Sequence, residues 1–320
     1  MLSRRHLRIK ALQALYAYYI NPGIELAVGE KNMLKSTEKI YELIIYQLSF
    51  LIEIVKFAAR RIEENKKKFY PTEEDLNPNT RFINNQLIAQ LSENKDYIRR
   101  HNAYKINWSE EQEMVRRIYN EVRESEGYKK YMSAPETTFE DDQAIIALIF
   151  TDFVADNPSL AFHYEEKNVY WANDLEIANP IALKIIRSMR ARNHEFTPLP
   201  DLYNTKGKDD PDEDKKFLVR LYHKTILKGQ DFEDIIQKKA SNWELNRIAM
   251  MDIILLKMAL AELIEFPSIP VKVTMNEYIE LAKSYSTPKS RVFINGILDK
   301  IILDLKAEDR IKKAGRGLIE

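Results

Sequence analysis

Eight glycines in 320 residues leave this chain few places for positive-φ turns, bulges and close backbone approaches. That scarcity argues against glycine-rich phosphate loops, dinucleotide folds and turn-rich β architectures. With 45% hydrophobic and 31% charged residues, the composition fits a helical protein with a sizeable core and argues against disorder. At about 150 residues per domain, the length suggests about two domains. Basic and acidic residues balance at 49 each, so attraction to nucleic acid or an anionic membrane must come from a local patch. The absence of cysteine excludes disulfides, thiolate metal sites and a cysteine nucleophile, and it permits the cytoplasmic setting expected here.

The best apolar run, Ile40 to Ala59, carries Glu42, Gln47, Glu53 and Lys56, too many polar groups for a bilayer core. The N-terminus is basic and then apolar from Ala11 to Ile20, as in a leader peptide. Gln13, Tyr16, Tyr18 and Tyr19 dilute that run and no small-residue cleavage site follows, so a structural helix is expected.

Nearly every periodic stretch reads as helix: 4–20, about 34–69 ending near Pro71, 80–100, and 109–125 with Ser109 and Gln112 at capping-box spacing. Pro135 and Pro158 suit the first turns of further helices, and another is expected over about 179–193. Residues 197–216 are the most linker-like segment. Its acids, Asp209, Asp210, Asp212, Glu213 and Asp214, read as helix-capping groups rather than a metal site, with Asp210 as N-cap and Pro211 in the first turn. Helices follow at about 211–228, stopped by Gly229, then 231–241, 243–264, 275–285 and 288–306. Thr274 and Glu277 are spaced as a capping box, and Thr287–Pro288 opens the last helix. The expected architecture is all-α.

Catalytic signatures such as GxGxxG, GxxxxGK[ST], HExxH and GxSxG are missing, and the five histidines have no metal-ligand partners at helical spacing. Neither an enzyme nor a cofactor is expected. The first helix is unusual, because Arg4, Arg5, Arg8 and Lys10 precede any acid before Glu25. Cations in a first turn oppose the helix dipole at about 0.3–1 kcal/mol each. Guanidiniums beside free N–H groups at a helix start suit a phosphate; the alternative is a frayed, solubilising terminus.

The last helix carries an apolar face of Ile294, Ile297, Leu298, Ile301, Ile302 and Leu305, about 140° wide at 100° per residue. Phe293 falls at its edge, with Lys289 and Lys300 within about 40° of it. An edge aromatic flanked by cations is how single-stranded nucleic acid is held, the ring stacking on a base while the lysines meet phosphates. Phe293 turned inward with ordinary surface lysines is the competing reading. Tyr285 would either join that patch or close its own helix. Trp243 reads as core, continued by Leu245, Ile248, Met251, Ile254 and Leu255, and mid-helical Gly296 suggests close approach of a neighbouring helix.

The opening RRHLRIKALQALY resembles the first helix of the NusB family of transcription antitermination factors. The stretch NWELNRIAMMDIILLKMALAELIEFPSIPVKVTMNEYIELAKSYSTPKSRVFINGILDKI resembles that family's C-terminal half. The resemblance covers about 4–20 and 217–305, roughly a third of the chain. It implies two helical bundles and a non-enzymatic factor that recognises single-stranded boxA RNA. That factor would work with the ribosomal protein NusE in an RNA polymerase antitermination complex, notably on ribosomal RNA operons. By position, Arg4, Arg5, Arg8 and Tyr16 match the family's RNA-contacting first helix, and Tyr285, Ser290 and Phe293 match the C-terminal motif. Two departures stand out: Ile9 replaces an acid that often follows the arginines, and Val292 occupies a commonly basic position.

Family members are typically much shorter, so about 35–210 is expected to be a large helical insertion. It would lie within an N-terminal bundle over 1–230, followed by a C-terminal bundle over 231–310 and a tail over 311–320. An RNA-modifying enzyme with a fused domain of this type would need a glycine-rich nucleotide fold, which eight scattered glycines do not supply. A helical scaffold that binds only protein remains the alternative.

Overall fold

A computed structural model describes residues 1–21, 23–171, 173–203, 210–240 and 248–318; among them there are helices and no strand. In chain order the helices are α1 (Arg4–Ile20), α2 (Leu26–Lys66), α3 (Glu73–Leu76), α4 (Gln86–Glu93), α5 (Lys95–Ala103), α6 (Gln112–Glu124), α7 (Glu126–Ser133) and α8 (Phe139–Ile149). A π-helical turn (Phe150–Ala155) leads to α9 (Pro158–Lys167) and α10 (Leu175–Ser188). Beyond them lie α11 (Glu213–Leu227), α12 (Gly229–Lys239), α13 (Met250–Glu265), α14 (Val271–Tyr285) and α15 (Ser290–Ala307). Trp243 and Asp209, on which sequence expectations rested, lie outside the described residues.

The chain divides into two compact units: residues 36–202 with Met1, and residues 2–35 with 203–320. The expected division at 230/231 falls inside α12. In the first unit, α2 is buried on every side from Ile40 to Ile52. An apolar stretch enclosed all round is what a central helix requires. Two indoles anchor this core by their N–H groups, Trp108 donating to Ser49 Oγ at 2.9 Å and Trp171 to the Lys39 carbonyl at 2.8 Å.

In the second unit the hub is α13, buried from Ile254 through Leu263, with α1, α11, α12, α14 and α15 all packed against it. Here α2 begins eight residues earlier than its periodicity suggests, because Gly29 lets its first turns lie against α11. A Cβ built at Gly29 would sit 1.9 Å from the Tyr222 hydroxyl, and Tyr222 is fully buried. Glu30 then pairs with His223 at 2.8 Å. Gly29→Ala should therefore cost about 1–3 kcal/mol by overpacking, read as a lower urea midpoint. An unchanged midpoint would mean that α2 slides without penalty. Gly296, in contrast, is exposed, and an added Cβ there meets nothing within 4 Å, so no neighbouring helix explains that glycine.

Several expected helix starts are displaced by better caps. The 80–100 stretch breaks at Asn94, whose Oδ1 accepts from the Tyr97 amide at 2.9 Å to open α5. Gln112 turns its amide to the Trp108 carbonyl and to Glu53, so no Ser109 capping box forms. The helix expected after Pro135 begins at Phe139 instead, where Thr138 and Asp141 form the box. Pro158 does open α9, behind Asn157. Pro180 sits inside α10. Asp210 accepts from the Asp212 amide and from Lys216, and α11 starts at Glu213. Gly229 is the first residue of α12 rather than the stop of α11. Thr274 and Glu277 are interior to α14, where Thr274 bonds a buried carboxylate instead of a backbone amide.

Among the described residues no single helix is long and apolar enough to cross a membrane, and no group of three His, Asp or Glu side chains is placed to hold a metal ion.

Candidate nucleic-acid interface

All the residues singled out by sequence lie in the second unit, and the structure sorts them into exposed groups and buried supports. Ser3 opens α1 with a reciprocal box: its hydroxyl accepts from the His6 amide at 3.3 Å, and His6 Nδ1 accepts from the Ser3 amide at 3.2 Å. One of the amides expected to be free for an anion is therefore occupied.

The three arginines of α1 differ in depth. Arg8 is only 2% exposed. It donates from Nε and Nη2 to the two oxygens of Glu262 at 2.8 and 2.7 Å, so it supports the core and does not face outward, a correction to its place on the expected surface. Thr274 and Tyr278 donate to the same carboxylate at 2.9 and 3.2 Å. Burial works against the Arg8 charge, but the hydrogen bonds and charge of Glu262 outweigh it and hold the guanidinium above its ordinary range. Burial and the Glu262 charge push the Tyr278 phenol well up.

Arg5 is half exposed and forks onto Glu277 of α14, with Nε to Oε2 at 3.0 Å and Nη2 to Oε1 at 2.8 Å. Those hydrogen bonds raise its pKa. Arg4 lies 4.3 Å over the Phe217 ring, with Nη2 2.5 Å from Glu213 and Nε 3.1 Å from Asp214 of α11. The acids that the first helix lacks in sequence arrive from helices more than 200 residues away, Arg4 and Glu213 being 209 apart and Arg5 and Glu277 272 apart. Lys10 is buried, another correction to the expected surface, whereas Tyr16 is 39% exposed.

The start of α15 is organised in the same way. Ser290 is buried, its hydroxyl donating to Asp252 Oδ2 at 2.7 Å while Ser286 donates to Oδ1 at 2.5 Å. Ser290 therefore locks the α14–α15 turn rather than facing outward. Its inner face of Ile294, Ile297, Leu298, Ile301, Ile302 and Leu305 is buried as expected, and Lys289 and Lys300 are exposed. Phe293 and Tyr285 are half-buried, between the two readings the sequence left open for each.

Arg291, exposed beside Lys289, was not singled out from sequence because it lies off the arc drawn around Phe293. Its importance is tertiary. Glu280 of α14 is held below the usual carboxylate range first by Lys283, with Arg5 and Arg291 adding to the effect. Cations of α1 and α15 thus both act on this one α14 carboxylate, while its ion-pair partner is Lys283.

A family model for the NusB family matches residues 177–303. Transcription antitermination protein NusB of Koribacter versatilis is 31% identical over 132 residues, which cover 41% of this chain and 90% of that protein. The chain belongs to the NusB family. Its relative of the same name in Salinibacter ruber is 45% identical over 111 residues, 35% of this chain and 69% of the relative. The Chloroherpeton thalassium protein is 43% identical over 106 residues, 33% and 50% of the two chains. No solved structure matches the chain. The matched family segment runs from Ile177, near the start of α10, to Leu303 within α15, so Arg291, Phe293 and the carboxylates facing α1 belong to the family part of this member.

Proposed function

We infer that this family member is a non-enzymatic transcription antitermination factor that binds single-stranded, boxA-like RNA. Its surface would be formed by the starts of α1 and α15 across α14, and it would act with NusE in an RNA polymerase antitermination complex. The observation that carries this reading is the forked pairing of Arg5 with Glu277, which ties the start of α1 to α14, the helix that leads directly into α15 with its exposed Lys289, Arg291 and Lys300. In it, Arg4, Arg5, Lys289, Arg291 and Lys300 meet phosphates, and Phe293, Tyr285 and Tyr16 offer rings to bases. Arg8, Lys10 and Ser290 act from within, holding the helices that carry the surface. Because charge is balanced around the arginines, affinity of the chain alone should be modest and strengthened by NusE.

The test is fluorescence anisotropy with a boxA-like strand and a scrambled control, with and without NusE, at two salt concentrations. Preference for the boxA-like strand, falling with salt and increased by NusE, is the expected result. Phe293→Ala should weaken RNA binding by about 1–3 kcal/mol through lost stacking, with little change in melting temperature. A lower melting temperature with intact RNA affinity would make Phe293 a core residue. Failure to bind RNA even with NusE would return the chain to a protein-only scaffold.

A further inference from the structure

We propose that the carboxylates of Glu277 and Glu213 are built-in competitors of RNA, occupying the phosphate-binding edges of Arg5 and Arg4 until the RNA backbone displaces them. The proposal rests on the RNA-binding reading above.

A guanidinium binds phosphate best through two parallel N–H groups. In Arg5 the Nε–Nη2 edge is already filled by both oxygens of Glu277, so a phosphate cannot take that edge while the pair is intact. Arg4 is in the same state, with Nη2 on Glu213 and Nε on Asp214. The local balance is also unfavourable to a polyanion: Arg4, Arg5 and Arg8 are faced by Glu213, Asp214, Glu262 and Glu277. Two of these acids have structural work, since Glu262 neutralises buried Arg8 and Asp214 is itself buried. Glu277 and Glu213 are different. Glu277 stands 3.5 Å from Arg8, whose charge Glu262 already meets, and Glu213 is half exposed. Neither is required to neutralise a buried charge, and both cover the only outward arginines of α1.

Removing one carboxylate charge a few ångströms from a bound phosphate should tighten binding about 3- to 10-fold at low salt. Glu277→Gln keeps the size of the side chain, and Gln remains able to accept one hydrogen bond from Arg5. In the full-length protein, titrated with a labelled boxA-like single strand, Glu277→Gln should bind more tightly than wild type. Its slope of log Kd against log salt should steepen by about 0.7 for the phosphate contact that Arg5 gains. Glu213→Gln should show a smaller gain, because Asp214 still holds Arg4. The double variant Arg5→Ala with Glu277→Gln should bind no better than Arg5→Ala alone.

Weaker or unchanged binding by Glu277→Gln, with Arg5→Ala still weakening it, would overturn the competition and leave the RNA reading standing. In that case Glu277 positions Arg5 productively. Absence of RNA binding by wild type, or equal binding by wild type and Arg5→Ala, would remove the α1 site and the competition with it. If Glu277→Gln melts early, Glu213→Gln decides the question in its place, since its carboxylate lies at the surface.

Discussion

Arg8→Ala is expected to destabilise the second unit by about 3–5 kcal/mol, because it strands the fully buried Glu262 without its cation. Thr274 and Tyr278 remain as donors, but two neutral hydroxyls do not replace a guanidinium. Replacing both partners, Arg8→Met with Glu262→Met, should recover part of the stability by leaving no buried charge. Urea denaturation of the two variants beside wild type checks this. A loss below about 1 kcal/mol would mean that water reaches Glu262.

Leu298→Ala should cost about 2–5 kcal/mol, since Leu298 is fully buried on the inner face of α15. That helix packs on α12, α13 and α14, and a cavity there cannot be closed without moving one of them. Leu303, on the same helix but 70% exposed, provides the control: Leu303→Ala should change stability by no more than about 0.5 kcal/mol. Because Leu298 holds α15 in place without reaching its outer face, RNA affinity measured well below the melting temperature should be nearly unchanged. A large loss of affinity with intact stability would mean that α15 shifts to fill the cavity and carries Phe293 with it.

Much of this architecture was legible in the sequence. Apolar residues recurring at three and four positions mark the helices, because any helix that buries one face must repeat in that way. The inner stripe of α15 and the all-α class follow from that periodicity alone, as does the exposure of Lys289 and Lys300. Local caps were less legible. Ser109, Pro135 and Thr274 each have a plausible start signal, yet Glu111, Thr138 and Pro270 stand at the caps. Competing polar groups lie within a few residues of one another, and tertiary packing chooses among them.

The charges of α1 divide what sequence determines from what it leaves to the fold. The run of cations without a nearby acid is a property of the sequence, and so is its likeness to a family that reads RNA. Which arginine faces outward, and which carboxylate it meets, depends on pairings across more than 200 positions, including α1 with α14 and α11. Coulomb interactions act through space and depend on separation and burial, neither of which helical periodicity records. Gly29 shows the same limit for packing: its need to be glycine comes entirely from the Tyr222 hydroxyl opposite it. The sequence alone determined the helices and the two ends of the chain worth attention. The tertiary structure supplies the rest: Arg8 and Ser290 are buried supports, Arg291 is exposed, and Glu277 occupies the Nε–Nη2 edge of Arg5.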